Sequence, residues 1–247
     1  MYILIALGAF ICELIDASLG MGYGTILSPL LILFGFDPFV VIPSILFSQA
    51  VGGFMGATFH HEVKNMDLGA GKKDSRIVYT IAIAGILAAV LAVIIAVKLP
   101  QKVLVGYIGL LVLTMGLLIL FKKGEFKFSW KKIFILGLIS AFNKGISGGG
   151  FGPVATGGQI ISGNGHKNSI GITTLTEVPI CITAFLAYMI TSVNPDWKFI
   201  TAMTIGAALA APSGALITKN IPVKKLKNIL GWLILLEGIF MLVKVLK

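Results

Sequence analysis

Ser18-Leu-Gly-Met-Gly-Tyr-Gly-Thr25 returns in altered form 128 positions later, as Ile146-Ser-Gly-Gly-Gly-Phe-Gly-Pro153. Each stretch interrupts apolar sequence in which a membrane helix would otherwise continue. Glycine costs about 1 kcal/mol per residue in a helix interior, so three or four together predict a break. Irregular backbone at membrane depth is tolerated only where it is buried in protein or lines a cavity. Two such breaks, one in each half of a chain, are typical of the binding site of a secondary transporter.

The composition places the chain in a membrane. Of its 247 residues 57% are hydrophobic and 12% are charged, whereas a soluble domain carries about 25% charged residues. The net charge of +10 is concentrated in a few short loops. Such clusters indicate orientation and contact with anionic lipid headgroups, and no basic soluble face exists for nucleic acid. We therefore predict a multi-pass protein of the cell membrane that contacts lipid and binds no nucleic acid.

The apolar segments fall into two sets of five, which predict an all-α polytopic membrane protein built from two inverted-topology repeats. Each repeat has a glycine-tipped broken-helix hairpin followed by three transmembrane helices. The first repeat covers residues 1–124, with a hairpin at 1–35 and helices at about 38–59, 77–97 and 101–121. The second covers residues 125–247, with a hairpin at 131–162 and helices at about 167–190, 198–218 and 222–246. The second segment of each hairpin is shorter than the roughly 20 residues that cross a bilayer, so each pair is either re-entrant or a full span followed by a half-span.

Sequence correspondence and loop charge support the duplication and its inverted sense. Gln49 and Glu177 keep the offset of 128 positions. Basic residues fill the loop His60–Arg76, the linker Lys122–Lys132 and the loop Lys219–Lys227. By the positive-inside rule these loops are cytoplasmic. Because the basic loop follows the third segment of one half and the fourth of the other, we predict opposite insertion of the two halves.

The glycine stretches themselves predict an anion pocket. Backbone N–H groups freed at the tip of a broken helix create positive potential, and the half-helix that follows directs its N-terminus at the same place. The alternative is that the glycines only allow close helix packing.

Of the ionisable residues that lie deep in apolar segments, three are candidates for the site. Lys144 is equivalent to Asp16 at the offset of 128, and a charge in the centre of a membrane helix costs about 3 kcal/mol on insertion scales. We expect Lys144 to pair with Asp16 or to meet the substrate anion, unless both extend to an interface. Glu177 and Asp16 are candidates for proton coupling, since a buried acid disfavours its charged form; the alternative for Glu177 is an interhelical hydrogen bond.

At these residues the chain resembles the sulfite exporter TauE/SafE family of membrane transporters. The likeness rests on Gly20–Gly24 followed by Pro29, on Asn143-Lys-Gly-Ile-Ser-Gly-Gly-Gly-Phe-Gly-Pro153, and on the duplicated helical layout. It implies transport of a sulfur-containing anion such as sulfite, sulfoacetate or a related organosulfonate. Carried onto the matching positions, it implies anion contacts from Gly148, Gly149, Gly150 and Gly152, with Gly20, Gly22 and Gly24 on the opposing side. To this predicted substrate site we add the polar residues of the second motif, Asn143, Lys144 and Ser147.

The leading hypothesis is therefore a secondary transporter that moves a small anion by alternating access around a midplane site. One rival is an anion channel of the same architecture. Another is an intramembrane enzyme that uses Ser147 or Glu177, but no histidine lies in a companion position for the serine. No metal-ligand spacing, nucleotide loop or cysteine pair is present, so we expect no metal, no cofactor and no enzymatic activity. The sequence leaves open whether the protein is a monomer or a homo-oligomer.

Overall fold

The computed structural model describes residues 1–121, 128–191, 194–218 and 223–246. The predicted boundary between the repeats, at residues 124 and 125, lies outside these ranges. So do Lys122, Lys123 and Lys127 of the basic linker and residues 219–222 of the last basic loop.

All regular structure in the described residues is α-helical. The helices are α1 (Tyr2–Leu19), α2 (Tyr23–Leu33), α3 (Pro38–Glu62), α4 (Lys73–Ala96), α5 (Gln101–Phe121), α6 (Trp130–Ser147), α7 (Phe151–Ile161), α8 (His166–Ile190), α9 (Trp197–Ile217) and α10 (Val223–Leu246). Six of them, α1, α3, α4, α5, α8 and α9, are long and apolar enough to cross a membrane. The predicted all-α polytopic membrane architecture is thereby confirmed.

Both glycine stretches break a helix, as the sequence predicts. Helix α1 ends at Gly20 (φ 68°), whose N–H donates to the Asp16 carbonyl. Helix α6 ends in the same way at Gly148 (φ 71°), whose N–H donates to the Lys144 carbonyl. This left-handed backbone costs other L-residues roughly 1–2 kcal/mol, whereas glycine adopts it freely. The two helices therefore stop at equivalent positions for the same steric reason.

The two helices that follow the breaks are short. Helices α2 and α7 have 11 residues each, about 16 Å at 1.5 Å per residue, which is half of a bilayer core. Helix α1 has 18 residues and the length of a span. Each hairpin thus has a long arm of 18 residues followed by a shorter arm of 11 residues.

The helices pack mainly between the two predicted halves. Helix α1 lies against α9, and its equivalent α6 lies against α4, which is the equivalent of α9. Helices α3 and α8 pack on each other, as do α5 and α10. Glycines permit the closest of these approaches: a Cβ atom at Gly206 would overlap the Ala6 carbonyl, and one at Gly214 would overlap Ala17. The exchange of partners is symmetric, while the opposite insertion of the halves stays a prediction.

The end of α2 is fixed by a lysine from α10. The Nζ atom of Lys244 donates to the carbonyls of Ile32 (2.8 Å) and Leu33 (3.2 Å). The last carbonyls of a helix have no partner within it. This ammonium gives the Leu33 carbonyl a donor, adds a second donor to the Ile32 carbonyl beside the Gly35 N–H, and complements the negative end of the helix dipole. The short helix is therefore held at its C-terminus by the other half of the chain.

Candidate functional site

The two breaks meet backbone to backbone. We call residues 20–24 and 148–152 together the crossing. A Cβ atom at Gly24 would overlap the Gly148 carbonyl, and one at Gly149 would overlap the Gly24 carbonyl. On the other side of the crossing, a Cβ atom at Gly152 would overlap the Gly20 carbonyl. The predicted opposition of the two glycine stretches is thus present as direct contact, and glycine is required on both sides.

Two hydroxyl groups tie the crossing together in equivalent ways. The Ser28 hydroxyl, in α2, donates to the Ser147 carbonyl at 2.6 Å. The Thr156 hydroxyl, in α7, is 2.7 Å from the Gly20 carbonyl. Ser28 and Thr156 are themselves 128 positions apart. Each short helix therefore provides a hydrogen bond to the end of the long helix of the opposite hairpin.

Some of the amides that the sequence assigns to an anion already have partners in this conformation. The Gly150 N–H donates to the Thr25 hydroxyl at 3.0 Å, and the Gly149 N–H donates to the Ser147 hydroxyl at 3.0 Å. Both acceptors are neutral, and each is the residue directly next to one of the two stretches of the crossing. Binding of an anion by these amides requires that it replace these hydroxyl oxygens.

Lys144 forms a buried ion pair with Glu177. The Nζ atom lies 2.6 Å from Oε1 of Glu177, and the side chains are only 1% and 4% exposed. Lys144 therefore pairs with Glu177 rather than with Asp16, and neither side chain of the pair extends to an interface. Both residues are lone charges in apolar segments of the second half, which could have indicated that they pair. Alignment of the two halves pointed to Asp16 instead.

Asp16 acts at the N-terminus of the first short helix. Its Oδ1 atom accepts a hydrogen bond from the N–H of Tyr23, the first residue of α2, at 3.2 Å. Its Oδ2 atom accepts one from Nε2 of Gln49, also at 3.2 Å. A carboxylate is stabilised at a helix N-terminus by the partial positive charge of that end. The first half therefore already places a carboxyl group where the sequence predicts a substrate anion.

The equivalent position in the second half carries the opposite charge. Lys144 stands where Asp16 stands in the first half, and Gly150 at the start of α7 has only the Thr25 hydroxyl as partner. The charges of Lys144 and Glu177 act on Asp16, so the ion pair and the carboxylate form one electrostatic cluster at the crossing. The two helix N-termini are therefore electrically unequal.

The remaining predicted site residues are buried beside the crossing. The Tyr107 hydroxyl donates to Oδ1 of Asn143 at 2.8 Å, and the Ser147 hydroxyl donates to the Asn143 carbonyl at 2.7 Å. Gly22 precedes the first residue of α2 with φ 153°. In the part of the chain that the structure describes, Ser147 has no histidine partner: its contacts are these backbone and amide groups.

Sequence reasoning missed a polar group on the α7 side of the crossing. The Thr156 hydroxyl lies 2.8 Å from the Thr173 hydroxyl, which also accepts a hydrogen bond from Nε2 of Gln159 at 3.0 Å. All three side chains are buried. Thr156 and Gln159 are three positions apart, and neighbouring polar residues at this spacing in a short apolar helix could have indicated a shared buried face.

A cavity of about 140 Å³ reaches the crossing from one side. It touches Met21 of the first glycine stretch and Pro153 and Val154 of α7, and its walls are mostly apolar. The residues that line it include none of the glycines at positions 20, 22, 24, 148–150 and 152.

Two comparisons relate the chain to known proteins. The family described as "Sulfite exporter TauE/SafE" matches residues 4–241. The chain is 27% identical over 248 aligned positions to the "Probable membrane transporter protein YtnM" of Bacillus subtilis (strain 168), covering 95% of this chain and 80% of that protein. No solved structure matches the chain.

Proposed function

Since the chain belongs to the sulfite exporter TauE/SafE family and is a membrane transporter, we propose that it carries a small anion whose binding site is the crossing. A sulfur-containing oxyanion or an organosulfonate of the sulfite or sulfoacetate kind is the proposed substrate. The name of the family supports this class, and the geometry of the crossing supports a small, negatively charged guest. We further propose that the protein is not an enzyme.

One observation carries the proposal: the two short helices differ in charge at their N-termini. Helix α2 has the Asp16 carboxylate on the N–H of Tyr23. Helix α7 has a neutral hydroxyl partner at the N–H of Gly150, and the Lys144 ammonium one turn before the break is paired with Glu177. The partial positive charge of a helix N-terminus attracts an anion where its amides have neutral partners, whereas an N-terminus already filled by a carboxyl group does not. The proposed substrate site is therefore at the start of α7.

Substrate entry requires the crossing to open. The direct contacts of Gly24 with Gly148 and of Gly152 with Gly20 leave no space for a sulfur oxyanion between them. We infer that the present conformation is closed and that the hairpins separate to expose the start of α7 to one side at a time. The cavity at Met21 and Pro153 is the proposed approach from its side.

The membrane potential gives the transport a preferred direction. In a cell that is negative inside, an anion that leaves gains about 2.3 kcal/mol per charge for every 100 mV. Export then proceeds without a coupling ion, while uptake against the potential requires one. An anion flux in proteoliposomes that changes neither with the membrane potential nor with a pH gradient would contradict this part of the proposal.

Binding to the purified protein tests the site. We would measure thermal shifts with sulfite, thiosulfate, sulfate, sulfonates and carboxylates, first for the natural sequence and then for Lys144→Met combined with Glu177→Gln. The double variant removes both charges, so the neutral pair leaves no unpaired ion in the interior. We expect it to fold and to lose anion binding.

The exposed ion pair of Lys72 and Asp67 (3.0 Å) offers a matched control, since its removal also takes away one positive and one negative charge, but at the surface of the protein. Lys72→Met with Asp67→Asn should keep the natural affinity. Unchanged affinity in the Lys144 and Glu177 double variant would exclude the proposed site. In flux measurements, acceleration by substrate on the opposite side marks a transporter, whereas flux that neither saturates nor accelerates marks a channel.

A further inference from the structure

Glu13 lies on α1, seven residues before the break at Gly20, and has no hydrogen-bond donor or salt-bridge partner in the described part of the chain. Its side chain is completely buried, and neither carboxyl oxygen has a hydrogen-bond partner. It lies one turn before Asp16 on α1 and packs on α3 at Gly52, where an added Cβ atom would be 3.1 Å from its Cδ and Oε1. The Oε1 atom of Gln49, one turn away on the same face of α3, is also buried without a partner. Unpaired acceptors thus collect in one place.

The ionisable groups whose charges act on Glu13 have ion-pair or hydrogen-bond partners of their own, and none of these partners is Glu13. Lys144 of α6 is neutralised by Glu177 of α8 at 2.6 Å. Asp16 has two hydrogen-bond donors, from Tyr23 and Gln49. The charges that act on Glu13 are those of Asp16, Glu177 and Lys144. The further titratable groups in electrostatic range of this cluster are the thiols of Cys12 and Cys181, the Tyr23 hydroxyl and the Glu237 carboxyl of α10.

An ionised Glu13 would therefore be an unpaired buried charge. Such a charge is far more costly than a neutral carboxylic acid, so a group in this position takes up a proton. A multivalent metal ion does not fit as an alternative, because no group of three or more His, Cys, Asp or Glu side chains in the described residues is arranged to hold one. Glu177 differs from Glu13 here, since a proton on Glu177 would leave the Lys144 ammonium unpaired.

We propose that Glu13 is a proton-binding site and that it couples proton movement to anion transport at the crossing. This inference rests on the proposed function. An anion at the start of α7 and an ionised Glu13 carry the same charge and repel each other, so the anion binds more tightly when Glu13 carries its proton. By reciprocity the bound anion strengthens the affinity of Glu13 for that proton. During uptake against the potential the proton and the anion then cross together and are released together.

The coupling between the proton on Glu13 and the bound anion is positive. Glu13 loses its proton as pH rises, so anion affinity falls across the pH range in which Glu13 titrates, and within that range anion binding takes up a proton from the medium. Coupling between two sites in one protein is commonly roughly 5–150-fold in affinity. We expect a change within this range across the titration of Glu13.

Glu13→Gln tests the proposal because glutamine has nearly the same shape and mimics the protonated acid. In this variant anion affinity should stay at the low-pH value at every pH, and the proton uptake that accompanies anion binding in weakly buffered detergent solution should disappear. Glu62→Gln, at the exposed end of α3, is the matched control and should keep the natural pH dependence. If Glu13→Gln keeps that dependence as well, or if only Glu177→Gln or Asp16→Asn removes it, the proposal is wrong.

An infrared measurement separates this inference from the proposed function. A protonated buried carboxylic acid gives a C=O stretching band distinct from that of a carboxylate, and the band needs no substrate. We expect Glu13→Gln to remove such a band and Glu62→Gln to leave it. Absence of anion binding with the band present would refute the proposed substrate site alone, whereas the same band intensity in Glu13→Gln would refute the proton site.

Discussion

Replacing Lys144 with methionine should be among the most damaging single changes in this protein. It leaves the Glu177 carboxylate, only 4% exposed, without its partner at 2.6 Å. Removing one member of a buried ion pair costs about 3–5 kcal/mol, because the remaining charge stays in a medium of low polarity. For a chain of this length each kcal/mol lowers the unfolding midpoint by roughly 2–4 °C, so the expected decrease is roughly 6–20 °C.

Thermal unfolding in detergent, followed by intrinsic fluorescence, measures this decrease. Glu177→Gln on its own should also destabilise the protein, since it leaves the ammonium unpaired. The double variant Lys144→Met with Glu177→Gln should recover most of the lost stability, because no charge then remains to be paired. Lys72→Met removes one partner of a pair in which the side chains are 57% and 63% exposed, and its cost should be about 0–1 kcal/mol.

Two results would refute this reasoning. One is a midpoint for Lys144→Met no lower than that of Lys72→Met, which would mean that Glu177 is solvated or neutral without its partner. The other is a double variant as unstable as the worse single variant, which would mean that packing of the long side chains rather than charge determines the cost.

Three further changes test the crossing and its supports by the same unfolding assay. Gly24→Ala should cost about 3 kcal/mol or more, since its methyl group overlaps the Gly148 carbonyl, whereas Gly157→Ala, with open space around it, should be neutral or stabilising by up to about 1 kcal/mol. Thr25→Val should cost about 1–3 kcal/mol by leaving the Gly150 N–H without an acceptor, while Thr25→Ser should restore most of this. Lys244→Met should cost about 1 kcal/mol by leaving the Leu33 carbonyl without its donor and the Ile32 carbonyl with only the Gly35 N–H. Equal unfolding midpoints for Gly24→Ala and Gly157→Ala would contradict the close approach of Gly24 to Gly148. Equal midpoints for Thr25→Val and Thr25→Ser would contradict the hydrogen bond to Gly150. A midpoint for Lys244→Met equal to that of the natural sequence would contradict the support of α2 by Lys244.

The helices and their breaks could be predicted from the sequence because local residue patterns determine them. Runs of apolar residues specify spans, and clustered glycines specify breaks, so the ends of α1 and α6 follow from Gly20 and Gly148. The packing of α1 on α9 was not accessible in this way. It depends on small residues such as Gly206 and Gly214 meeting α1 from far along the chain, and neither position has a distinctive local pattern.

The candidate site was predictable in its residues but not in their pairing. The repeat aligned Lys144 with Asp16 and suggested a pair, whereas three-dimensional packing brings Lys144 to Glu177 of the same half. Asp16 meets Tyr23 through the turn made by the break. Glu13 was visible as an acid one turn before Asp16, but its lack of any partner is a property of the folded neighbourhood. Offsets between repeats identify equivalent positions, and they do not report which side chains touch.

The exchange of partners between the halves has a consequence for biosynthesis. Leu19 at the end of α1 and Trp197 at the start of α9 are 178 positions apart. A ribosome that adds 5–20 residues per second needs roughly 10–35 s to cover that distance. During this interval α1, which carries the acids Glu13 and Asp16, lacks α9, the helix against which it mainly packs. The first half of the nascent chain therefore reaches its final arrangement only once the second has been inserted.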